Sequence, residues 1–180
     1  ALSTKVFGPL KTPDQPFRVE AGQLVGQGRA TLHGLFDLAP PFALRYDLTF
    51  VAGEEKDATR WFAVGVSDDR SEHFAWGINL DILEVNDLEN GAQARGGVER
   101  WFMDSAYAME LRHDGKQVFL RCETKECSLP AGTRKEGAFF LYAHSESPVR
   151  LSQLVVEGRI APASLARLRR ARIERELAAY

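Results

Sequence analysis

The chain is short of sulfur and of any one-signed charge, and each shortage removes a class of protein. Only two cysteines, Cys122 and Cys127, occur in 180 residues. Two thiols alone cannot complete a structural zinc site, which takes four nitrogen or sulfur ligands, and His33, His73, His113 and His144 are scattered without ligand-like pairing. Their spacing is C-x4-C, so the C-x-x-C of redox catalysis is missing as well. A net charge of −2 lacks the basic surplus of a general nucleic-acid binder. No apolar run reaches membrane-spanning length. The start has no basic segment, apolar stretch and small-residue cleavage site in series, so a signal peptide is expected to have been removed or never to have existed. Phosphate-binding loops, dinucleotide glycine fingerprints and metalloprotease helices are absent, as are internal repeats and low-complexity segments.

What the chain does have is alternation. A composition of 44% hydrophobic residues with 15 glycines and 8 prolines fits one ordinary globular domain with many turns. From Phe42 to Ala52, the side chains of Phe42, Leu44, Tyr46, Leu48 and Phe50 share one face and Arg45, Asp47 and Thr49 the other, the mark of a half-buried strand. About ten such runs fill the first 158 residues, broken at Asp68-Asp69, Asn90-Gly91, Gly96-Gly97, Asp114-Gly115 and Gly132. With no helical pattern between them, the expectation is an all-β fold, an antiparallel β-sandwich spanning residues 1–158.

The pattern changes at Arg159. Pro162 suits the first turn of a helix, and Leu165, Leu168, Ile173, Leu177 and Tyr180 fall on about half of its circumference, which predicts a C-terminal amphipathic α-helix in the extension 159–180. Six arginines against Glu174 and Glu176 give that extension a surplus of four positive charges, which leaves the body at −6. The helix is expected either to pack on the sandwich or to offer Arg167, Arg169, Arg170, Arg172 and Arg175 to an acidic partner.

Asp114-Gly115 predicts a hairpin, and a tighter reversal over Glu123 to Glu126 would set Cys122 and Cys127 nearly opposite one another on adjacent strands. Two outcomes follow: a disulfide stapling the strands in an oxidising compartment, or two unpaired buried thiols in a reducing one.

The order of elements resembles a known architecture. Gly22, Leu24 and Gly26 in G-x-L-x-G, the strand Phe42-Ala43-Leu44-Arg45, then GINLDILEVND, MELRHDGKQVFL, GAFFLY and VRLSQLVVEG are similar to the concanavalin-like jelly rolls of the laminin-G and 3-keto-disaccharide hydrolase type, over residues 17–158. On the same likeness, Asn79, Asp81 and Glu84 align with the E-x-D-x-x-E of laminarinase-type retaining glycosidases. Those enzymes need two carboxylates about 5 Å apart, and the amide of Asn79 cannot act as nucleophile. The keto-disaccharide type carries a glutamate just after the glycine of this strand, where this chain has Ile78 and Asn79. The resemblance therefore implies the fold without the hydrolysis, and the stretch also reads as an ordinary strand. Ser71-Glu72-His73 and His144-Ser145-Glu146 read as polar loops, because triads assemble in space rather than by adjacency. No metal site is assigned. Calcium alone stays open, with Asp68, Asp69, Asp81, Asp87, Glu89 and Asn90 as oxygen donors near strand ends.

Adjacent aromatics give the strongest pointer to function. Of Trp61 and Phe62, and of Trp101 and Phe102, a regular strand directs one of each pair away from the core, toward a covering loop or a partner. The expected function is a non-catalytic extracytoplasmic recognition or assembly module, an accessory subunit for a larger protein partner. An alternative is a carbohydrate-binding module using Trp61, Trp76 and Trp101 beside Asn79 and Asp81. A further alternative is a glycan-cleaving enzyme.

Overall fold

Burial follows the alternation. Phe42, Leu44, Tyr46, Leu48 and Phe50 are each at most 3% exposed, whereas Arg45 between them stays in solvent. The computed structural model describes residues 16–53, 60–67, 72–79, 82–87, 91–97, 102–131 and 136–178, with backbone alone at 35, 67, 72–79, 82 and 87. The strands are β1 (Arg18–Glu20), β2 (Gln23–Phe50), β3 (Arg60–Ser67), β4 (Glu72–Asn79), β5 (Ile82–Asp87), β6 (Ala92–Gly97), β7 (Tyr107–His113), β8 (Gln117–Cys122), β9 (Lys125–Pro130) and β10 (Gly137–Ile160). One helix, α1 (Pro162–Leu177), follows.

The hydrogen-bonded path runs β6-β5-β4-β3-β10-β2-β7-β8-β9, with β1 paired to β2. β2 and β10 are long enough to serve two layers. Residues 28–38 of β2 lie opposite 137–145 of β10, and residues 42–50 lie opposite 149–158. Partner numbers on β2 fall as those on β10 rise, the sense of an antiparallel ladder. The first halves of β10 and β2 continue the layer of β3 to β6, and the second halves continue that of β7 to β9. Between the layers, Phe62, Val64, Leu83 and Val85 meet Leu44, Tyr46, Leu111, Val118 and Leu120 in one cluster. Tyr46 and Phe62 pack edge-on across it, centroids 5.8 Å apart. Each such side chain contributes about 1.5–3 kcal/mol through burial. The outermost strands also meet: a methyl group at Gly96 on β6 would stand 3.4 Å from Cβ of Cys127 on β9.

The hairpin expected at Asp114-Gly115 is present. Asp114 Oδ1 accepts the N–H groups of Lys116 at 2.7 Å and Gln117 at 2.8 Å, which fixes the β7–β8 turn. These two bonds, that from Gln117 first, hold the Asp114 carboxyl below its ordinary value.

The expected staple is not formed: Cys122 and Cys127 are both free, buried thiols. The β8–β9 turn pairs Cys122 with Lys125 and Leu120 with Cys127. The thiols therefore share the core side but stand diagonally. Such a diagonal separates residues by about 7–8 Å, longer than a disulfide spans.

The apolar stripe expected of the C-terminal helix also fails to form a buried face. Leu165 and Leu168 are half-buried, while Ile173 and Leu177 are 55% and 69% exposed. Among the described residues the fastening is near the start of the helix. Ser164 is fully buried, its Oγ accepts the Asp37 N–H at 3.0 Å, and the Ala161 N–H reaches the Asp37 carbonyl at 2.9 Å. Arg167 extends to Asp37 and to Ser164 Oγ. Among the described residues no helix is long and apolar enough to cross a membrane.

Candidate functional site

On β3, Phe62, Val64 and Val66 enter the core, so Trp61, Ala63 and Gly65 face the other way. On β10, Leu141 and Ala143 enter it, and Phe140, Tyr142 and His144 face outward with them. The register arranges this outward face in rows. His144 lies between Trp61 and Arg29, Tyr142 between Ala63 and Thr31, and Phe140 between Gly65 and His33. Beyond β3 the rows continue on the β4 backbone at Asn79, Gly77 and Ala75. Small residues therefore occupy the β3 and β4 positions beside Tyr142, while aromatic, imidazole and guanidinium groups occupy β10 and β2.

Exposure sorts these groups into support and contact. Trp61 is 4% exposed and His144 fully buried; Tyr142 and Arg29 are half-buried, and Thr31 and His33 are exposed. Trp61 meets the Tyr142 ring edge to face at 5.5 Å. His144 stacks on the same ring at 6.3 Å, and its Nδ1 lies 3.3 Å from Tyr142 Oη. Phe140 stands 6.1 Å from the His33 ring. Tyr142 is thus held from two sides, with the polar groups of Arg29, Thr31 and His33 as the accessible rim. Rigid aromatic surface edged by hydrogen-bonding groups suits a ligand with apolar faces and polar edges.

The residues singled out from the sequence are placed unevenly. Phe62 is the inward member of its pair and Trp61 the outward one, but Trp61 backs Tyr142 instead of presenting its own face. Asn79 lies opposite Trp61 and Trp76 opposite Val64. Asp81 and Trp101 fall outside the described residues, as do Asp68, Asp69, Glu89 and Asn90 among the calcium donors. Asp87 ends β5, and among the described residues no three His, Cys, Asp or Glu side chains cluster as metal ligands. Glu84, the last acid of the glycosidase-like spacing, is engaged by Arg95 at 2.9 Å and by the Asn86 amide. Phe102 is exposed and its N–H donates to Tyr107 Oη at 2.7 Å. On α1, Arg172 pairs with Glu176 at 2.8 Å, Arg175 bonds the Ala171 carbonyl, and Arg169 and Arg170 are exposed. Tyr142, Arg29, Thr31 and His33 were not expected. Alternation in GAFFLYAH sets Phe140, Tyr142 and His144 on one face, but which face looks outward depends on pairing with β2 and β3.

The outer face of the other layer is different in character. Arg45 lies opposite Glu110, and Glu110 opposite Arg121. Their contacts are 2.9 and 2.7 Å, and Arg45 also reaches Glu157 at 2.6 Å. Glu110, then Glu157, raise the Arg45 guanidinium above its ordinary value.

These layers and the strands they share define the concanavalin-like jelly-roll β-sandwich, with a C-terminal helix appended to it. No family model and no curated protein matches the sequence. Solved structures do. Carbohydrate binding module CBM66 from Bacillus subtilis superposes with a TM-score of 0.61 at 13% identity, over 81% of this chain and 100% of that one. Family 7 alginate lyase A1-II′ with bound product gives 0.58 at 10%, over 82% and 85%. Sheep galectin-11 gives 0.55 at 10%, over 72% and 98%. At these identities the likeness is one of fold, and the fold it shows is the jelly roll.

Proposed function

We propose that the protein is a carbohydrate-recognition module that holds a glycan on the outward face of β2, β10 and β3. The observation that carries the reading is the Tyr142 ring, fixed by Trp61 and His144 and edged by Arg29, Thr31 and His33. Sugar rings offer apolar C–H faces to such an aromatic and hydroxyls to such a rim. Neighbours in fold that are named for carbohydrate binding and for alginate cleavage support a glycan over a protein partner as the main ligand. Extracytoplasmic location belongs to this reading and rests on the ligand class, since the cysteines no longer argue for it. Calorimetry against a panel of oligosaccharides tests it. Binding to at least one glycan is expected, weakened at least tenfold by Tyr142→Ala, a loss of about 1.4 kcal/mol. Absence of heat across the panel, or binding indifferent to Tyr142 and Arg29, overturns it.

A second reading concerns the extension at 159–180. Arg169, Arg170, Arg172 and Arg175 stand beside exposed Ile173 and Leu177 on a helix whose fastening, among the described residues, is near its start, which supports a docking arm for an acidic protein surface. Removing residues 162–180 should abolish co-purification with that partner and leave glycan binding intact. Retained association would dismiss the arm.

A further inference from the structure

We infer that the opposite face of the sandwich carries a second, separate pocket for a single neutral monosaccharide unit. It is an open notch of about 370 Å³ at the end of the second layer, where β10, β2 and β7 run side by side, within the size range of small-molecule sites. One rung of the sheet explains the gap. Glu157, Ala43, Arg112 and Phe119 follow one another across four neighbouring strands, so a methyl group sits between a carboxylate and a guanidinium. Both long side chains are drawn away from it. Arg45 holds Glu157 at 2.6 Å on one side, and Arg112 lies over the Phe119 ring at 4.1 Å on the other. The space above Ala43 stays open as a result.

The end of the notch is fixed by backbone. Pro41 and Asp114 close it, and Gly158 lets β10 approach so near that a Cβ there would stand 2.6 Å from the Cβ of Phe42. Beneath lie Phe42 and His113, rings 5.3 Å apart and both buried.

The chemistry selects a polyol. Of the two carboxylates in the lining, Glu157 is paired at 2.6 Å with Arg45, which stands outside the notch, and Asp114 shares the lining with the Arg112 guanidinium, so no unbalanced charge is left to attract an ion. The lining presents acceptors on one edge and a donor fork on the other, above an apolar floor of Ala43 and Pro41. A hexose supplies hydroxyls that donate and accept in turn and a ring face for the floor. The pocket is independent of the Tyr142 face, and either site can fail without the other.

Amide NMR shifts of the full chain, titrated with free glucose, galactose, mannose and fructose, test this. Saturable shifts at Ala43, Arg112, Asp114 and Gly158 are expected with at least one hexose. Ala43→Leu fills the notch from the surface and should abolish those shifts while the rest of the spectrum stays in place. Arg112→Lys keeps the charge without the fork and should weaken binding about tenfold. No hexose moving these amides overturns the pocket, and so do shifts that survive Ala43→Leu. Shifts confined to Thr31, His33 and Tyr142 overturn it too, while leaving glycan recognition on the other face standing.

Discussion

Gly158 combines a backbone angle of φ +151° with contact too close for any side chain, 2.6 Å to Phe42 Cβ and 3.1 Å to its Cα. Gly158→Ala should therefore cost about 2–3 kcal/mol, seen as a lower urea midpoint at unchanged slope. The thiols give a prediction in pH. Burial, then Glu123, pushes Cys122 up to about 12; burial, then Glu126 and Glu84, pushes Cys127 up to about 11. Above about pH 9 the unfolded chain releases these protons and the folded one keeps them, so stability is complete below that point and falls as pH rises toward 11 and 12. Burial of Tyr46 acts in the same direction at higher pH. Urea titrations from about pH 8 to pH 10 should show the fall, and Cys122→Ala with Cys127→Ala should flatten it. A slope unchanged in the double variant would assign the effect elsewhere.

Among the elements, the strands were legible because each carries its own period of two and its own turn residues, as Asp114-Gly115 shows. The helix was legible in position and misread in role. Leu165, Leu168, Ile173 and Leu177 form a stripe on paper, yet among the described residues contact with the body stays near the start of the helix, and the bonds that fasten it are polar. Ser164 and Asp37 are 127 residues apart in sequence, and no local pattern announces their bond. Ser164→Ala removes a buried acceptor and should cost about 1–2 kcal/mol. Its signature is loss of amide-exchange protection along 162–177 with the strands unchanged; equal loss in β2 would show instead that the helix supports the sheet.

In the molecule as a whole, the sandwich was legible and the way it closes was not. Sequence supplies alternation, but it leaves open that β2 and β10 each serve both layers, or that Gly96 meets Cys127. The candidate site shares that fate. Trp61 was visible as an outward aromatic, while the groups it supports, Tyr142 and Arg29, come together only through the pairing of β10 with β2 and β3. A bulky residue at Gly96 tests the closure: Gly96→Leu should push β6 from β9 and lower stability by about 1–3 kcal/mol, with Cys127 becoming quicker to react with a thiol reagent. Unchanged reactivity would mean that the strands part without consequence.

The place of β10 between β3 and β2 also sets an order in time. During synthesis the strands from β2 to β9 leave the ribosome before the one that joins their layers, so two partial assemblies must wait, each with an open edge, until residues 137–160 emerge. Completion is thereby a late, long-range event, and a nascent chain stalled before Gly137 should be protease-sensitive and in need of a chaperone.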